Sequence, residues 1–66
     1  MDRRSDLLRE VIYEFTPSGR YVKVAAIDPA TLTEVSIVGD PMVGEAQLKR
    51  QARRKLEYVL AKKTAT

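Results

Sequence analysis

The chain contains no cysteine and no histidine. The first absence excludes disulfides, and the two together remove the ligands that zinc ordinarily takes. They also remove the commonest general base and the thiol nucleophile, so no Cys–His pair or histidine-centred triad can form. A cysteine-free chain fits a reducing compartment, and a cytoplasmic location is expected. Aromatic residues are few, with three Tyr, one Phe and no Trp. Long apolar runs are missing too. Leu7-Leu8 is followed at once by Arg9-Glu10, so neither a signal peptide nor a membrane span is expected.

What is present has to make one small domain. A chain of 66 residues buries only about 60% of the surface it exposes when unfolded, which leaves a single core marginal. Without disulfides or zinc, oligomerisation is the remaining way to add buried surface. Charge is uneven. Residues 1–44 carry five Lys/Arg and seven Asp/Glu (5 − 7 = −2), and residues 45–66 carry seven and two (7 − 2 = +5), which sum to the formal +3. The basic character therefore belongs to the C-terminal third.

Residues 1–9 are polar and read as a flexible arm. Glu10 to Thr16, rich in β-branched and aromatic residues, reads as a first strand, and Pro17-Ser18-Gly19 as the turn that stops it. Arg20 to Ile27 is the second strand. Asp28-Pro29-Ala30-Thr31 has the residues of a type I turn, and Thr33 to Val38 is the third strand. Glu45 to Lys63 is free of Pro and Gly, and Leu48, Ala52, Leu56, Val59 and Leu60 fall on one stripe of a helix. The helix is expected to begin near Gly44, because a start at Asp40-Pro41 would leave that glycine inside it. Residues 64–66 are left as a frayed tail. The fold class is α+β: a three-stranded antiparallel meander followed by one long amphipathic helix (β-β-β-α), as a single domain over 10–63 that is expected to be dimeric.

Side-chain alternation gives an expected register. Phe15 is set opposite Val22, Tyr13 opposite Val24 and Val11 opposite Ala26. Across the second hairpin, Ala26 is set opposite Val35 and Val24 opposite Ile37. All these residues then share the face that the helix covers. The other face holds Glu14 opposite Lys23, Ile12 opposite Ala25, and Ile27 opposite Glu34. It is only half polar, and Ile12, Ala25, Ile27 and Val38 are expected to form a dimer interface, with Tyr58 on the helix as a further contact. Tyr21, like Tyr58, falls at the rim of the apolar surfaces, where a wet hydroxyl and a buried ring suit a contact. Exchange of the helix between two copies through the Gly39–Gly44 linker is an alternative dimer geometry.

No motif for chemistry stands out. Glu14 and Glu34 share a flat face without a pocket, Ser36 and Lys23 are diagonal neighbours with nothing to depress the lysine, and Asp28 and Asp40 precede prolines as turn or cap residues. No phosphate loop or dinucleotide fingerprint occurs. No enzyme activity, cofactor, metal or membrane association is expected. The basic run from Lys49 to Lys55 supplies the alternative function: Lys49, Arg50, Arg53 and Arg54 could lie along nucleic acid or another polyanion, or simply form a solvated face with Glu57 opposite Arg53 at i, i+4.

Three blocks of the sequence carry a resemblance. Tyr21 to Asp28 (YVKVAAID), Thr33 to Gly39 (TEVSIVG) and Lys55 to Lys63 (KLEYVLAKK) resemble, in order and spacing, a small alphaproteobacterial family of unknown function, over residues 10–63. The resemblance implies a small cytosolic protein with no assigned reaction, so no catalytic residue is carried over. That family often has Gly where this chain has Leu32, which implies a differently shaped second turn. A serine hydroxymethyltransferase label found among its relatives does not fit a chain this short without a cofactor-lysine motif.

Overall fold

The structure, a computed structural model, describes residues 10–65. The arm expected over residues 1–9, and residue 66 of the expected tail, lie outside the described residues. Three strands, β1 (Ile12–Ser18), β2 (Tyr21–Asp28) and β3 (Thr33–Gly39), form one antiparallel sheet in the order β1-β2-β3. A 3-10 turn over Pro41–Val43 leads into one helix, α1 (Glu45–Ala65). The expected β-β-β-α architecture is therefore the observed one, with the helix two residues longer than anticipated.

The register of the second hairpin is as expected: Ala26 is opposite Val35, Val24 opposite Ile37 and Ile27 opposite Glu34. The first hairpin differs. Phe15 pairs with Val24, Tyr13 with Ala26 and Pro17 with Val22, a shift of two residues. Glu14 consequently lies opposite Ala25 rather than Lys23, Lys23 lies opposite Thr16, and Ile12 lies opposite Ile27 rather than Ala25. The physical reason is Pro17. It does not stop β1, because an edge strand tolerates a residue without an N–H, and β1 runs on to Ser18. The turn then contracts to Gly19-Arg20. A positive φ at Gly19 (61°) and not at Arg20 is the pattern of a two-residue type II′ turn. A slip of two leaves every side chain on its face, so the core is unaffected.

The second turn is a four-residue loop between Asp28 and Thr33. The Leu32 N–H donates to the Asp28 carbonyl at 2.8 Å, with Leu32 at φ 60°. The turn thus takes the left-handed conformation a glycine would favour, with leucine in it. Asp28, only 2% exposed, holds the loop from inside. Its carboxylate accepts from the Ala30 N–H (3.1 Å) and the Thr31 hydroxyl (2.8 Å).

After β3 the chain turns sharply. The Asp40 carboxylate accepts from the Met42 N–H at 2.9 Å and caps the 3-10 turn. Gly44, at φ 92° and ψ 154°, separates that turn from α1, so the Asp40-Pro41 signal belongs to the 3-10 turn and the helix starts at Glu45. The helix returns over its own sheet. Leu48, Ala52, Leu56 and Leu60 pack on Val22, Val24, Ala26 and Val35, and Leu56 and Val24 are fully buried. Closure is tight at Gly39, where an added Cβ would run into the Leu48 side chain. The helix packs on β2 and β3. Under β1 the inner-face residues Val11, Tyr13 and Phe15 meet the core only partly and stay half-buried.

Candidate interaction surfaces

The sheet face away from the helix is built from three cross-strand rows, fixed by the register: Ile12–Ile27–Glu34, Glu14–Ala25–Ser36 and Thr16–Lys23–Val38. Four of the expected contact residues are on this face, but they are not one patch. Ile12 (47% exposed) and Ile27 are direct cross-strand neighbours. Ala25, on the central strand, is only 5% exposed. Val38, 67% exposed, shares its row with Lys23 and borders Ser36 along β3, so polar side chains separate it from the isoleucines. Tyr21, 56% exposed, continues the outer face of β2 beyond Lys23.

Tyr58 is elsewhere. It is on α1, in the opposite layer, with its side chain largely exposed. The Lys62 ammonium stands 5.3 Å from its ring centroid, within cation–π range. Arg54, Tyr58 and Lys62 are spaced by four and so form a column along the solvent side of the helix. The i, i+4 spacing of Arg54 and Tyr58 thus sets an aromatic ring beside an arginine of the basic run. Of the expected polyanion-binding residues, Arg50 and Arg54 are exposed on this side, while Lys49 and Arg53 are half-buried. Lys49 turns toward the sheet. Its ammonium is 3.9 Å from the Glu45 carboxylate and 5.5 Å from the Tyr13 ring centroid. The structure thus divides that set between two sides of the helix.

Two further lysines of α1 reach β3. Lys55 Nζ donates to the Ser36 carbonyl at 2.8 Å. Lys63 Nζ donates to the Thr33 hydroxyl at 3.2 Å. That hydroxyl is 2.8 Å from the Thr31 hydroxyl, and the Thr33 N–H also donates to Thr31 at 3.3 Å. Each hydroxyl has one proton. Thr31 spends its proton on Asp28 and Thr33 passes its own to Thr31, so a directed chain of hydrogen bonds runs from Lys63 to the buried carboxylate. No described buried side-chain polar atom lacks a partner.

Among the described residues no three carboxylates gather where they could hold a metal ion. Glu14 and Glu34 are both exposed, on the two outer strands with β2 between them. Ser36 and Lys23 are diagonal neighbours on the outer face, as the second-hairpin register requires. No described helix is long and apolar enough to cross a membrane.

A family model described as "Domain of unknown function (DUF6898)" matches residues 8–63. No curated protein and no solved structure matches the chain.

Proposed function

The chain belongs to the DUF6898 family, and from that premise we propose that it is a homodimeric interaction module without catalytic activity. The observation that carries this reading is the sheet surface that one helix leaves uncovered. Ile12 and Val38 remain open on the outer face, and Val11, Tyr13 and Phe15 are half-buried beneath β1. For a 66-residue chain with a marginal core, covering such surface with a second copy is the available source of further stability. A bacterial, cytoplasmic setting is part of this reading, supported by the resemblance and by a cysteine-free composition that fits a reducing compartment. Exchange of α1 through the Gly39–Gly44 linker, which would keep the same core contacts between chains, is the alternative dimer geometry. Sedimentation equilibrium at micromolar concentration tests the reading. The expected mass is twice the 7.5 kDa of the chain, and a stable folded monomer refutes it.

A second reading is polyanion binding along α1. It is favoured by the exposed Arg50 and the Arg54–Tyr58–Lys62 column, which would pair phosphate contacts with a stacking ring. About three phosphate contacts, from Arg50, Arg54 and Lys62, would give a log–log salt slope of roughly −3. Absence of retention on duplex or single-stranded nucleic acid at low salt ends it.

A further inference from the structure

The two borders of the sheet are not equivalent. In a two-residue hairpin the closing pair, here Ser18 and Tyr21, is hydrogen-bonded, and bonded and non-bonded pairs alternate away from it. Ile12, Glu14, Thr16 and Ser18 therefore bond to β2. Val11, Tyr13, Phe15 and Pro17 turn their backbone groups toward the open side, and Pro17 is accommodated because the N–H it lacks would have pointed away from the sheet. The same phase carried through β2 turns Ser36 outward on β3. There Lys55 caps the carbonyl at 2.8 Å. A lysine laid along an edge is a barrier to strand addition. Among the described residues no lysine caps a β1 carbonyl in this way; Lys49 stands over the Tyr13 ring, 5.5 Å from its centroid, on the helix side of the strand. β1 is also the strand that α1 leaves short of cover, with Val11, Tyr13 and Phe15 half-buried.

We propose that β1 pairs antiparallel with β1 of a second copy, across a two-fold axis at Tyr13, to make a continuous six-stranded sheet. This rests on the self-association reading above and specifies where the contact forms. The strand's own chemistry selects the register. An axis at Glu14 would set two carboxylates directly opposite each other, which is unfavourable. An axis at Phe15 would set Tyr13 against the partner's Pro17, which has no N–H to give. An axis at Tyr13 sets Tyr13 against the partner's Tyr13, Val11 against the partner's Phe15, and Ile12 against the partner's Glu14. Three outward pairs then exchange about six N–H···O bonds. The half-buried Val11–Tyr13–Phe15 strips of the two copies become one strip between two helices, so each copy supplies the cover the other lacks. An unrelated extended peptide would satisfy the backbone but bring no second helix to that strip. A second copy does both.

Cysteine cross-linking tests this in a chain that has no cysteine of its own. Ile12→Cys protein mixed with Glu14→Cys protein places two thiols in a non-bonded pair with Cα atoms about 4.5 Å apart, within disulfide range. Both side chains are on the outer face, so neither substitution enters the core. The mixture is expected to form disulfide-linked dimers about tenfold faster than Glu14→Cys alone, whose thiols are only diagonal neighbours. Tyr13→Cys, on the axis, is expected to cross-link with itself. Equal rates for the mixture and for Glu14→Cys alone overturn the register. A dimer that cross-links instead through Ile27→Cys or Val38→Cys overturns the edge contact and leaves self-association standing. A chain that sediments as a monomer overturns both.

Discussion

Gly39 and Gly44 flank the same short connection, yet their replacement by alanine should cost stability for different reasons, and the difference can be measured. Gly44 has φ 92° with open space around the position of a Cβ. The cost of Gly44→Ala is therefore conformational. Holding a non-glycine residue in that region costs about 1–3 kcal/mol, and the lower entropy of the unfolded alanine chain returns about 0.4–1 kcal/mol. A net loss of about 1–2 kcal/mol follows, or about 5–15 °C in Tm for a domain of this size. Gly39 has an ordinary φ, and its Cβ would meet the buried Leu48 side chain. The cost of Gly39→Ala is therefore steric, about 1–3 kcal/mol. Urea unfolding followed by far-UV circular dichroism gives both values. The separation comes from repeating them in a Leu48→Val background, which withdraws the colliding methyl. The penalty of Gly39→Ala should largely vanish there, while that of Gly44→Ala should be unchanged: a Cβ at Gly44 meets no neighbouring atom, and the backbone bond from the Leu48 N–H to the Gly44 carbonyl (3.1 Å) is kept in Leu48→Val. A neutral Gly44→Ala, or a Gly39→Ala penalty that persists in the Leu48→Val background, would refute the geometry of this connection.

Three other outcomes are expected. Leu56→Ala, at the fully buried centre of the helix stripe, should cost about 2–5 kcal/mol; a domain this small has only about 3–10 kcal/mol in total, so circular dichroism at 37 °C should show substantial unfolding, and a cost under about 1 kcal/mol would place the core elsewhere. Asp28→Ala should cost about 1–3 kcal/mol, because it leaves the Ala30 N–H and the Thr31 hydroxyl without their acceptor; Asp28→Asn, which keeps an acceptor, should cost less in the same melt. Leu32→Asn should raise stability by up to about 1 kcal/mol, since asparagine tolerates the left-handed conformation better and the leucine is 81% exposed with little burial to lose; a lower Tm would show that the turn is not held at positive φ.

How far the sequence reveals this fold depends on which symmetry a cue breaks. Alternation along β1 and β2 distinguishes a slip of one residue from none, because a slip of one exchanges the faces. It cannot detect a slip of two. Phe15 opposite Val22 and Phe15 opposite Val24 bury the same side chains, and the choice was made by a backbone detail, Pro17 fitting at an edge. The second hairpin was legible because Asp28-Pro29 fixed the length of its loop. The helix stripe, from Leu48 to Leu60, was legible because periodicity reports directly on burial. The surfaces were harder to read. Alternation placed Ile12, Ala25, Ile27 and Val38 on one face but not their adjacency, which depends on the register that slipped. That α1 lies over β2 and β3 and leaves β1 short of cover has no signature in the pattern of any one element.

The hydrogen-bonded line from Lys63 through Thr33 and Thr31 to Asp28 ties the last turns of the helix to the tip of the second hairpin, 30 residues away along the chain. Ends of helices and tips of hairpins ordinarily fray separately and at little free-energy cost. Here the two share the Lys63–Thr33 bond, so opening of either end removes a bond from the other. Their opening should therefore be correlated, and amide hydrogen exchange should show the hairpin tip losing protection when Lys63 is replaced by alanine.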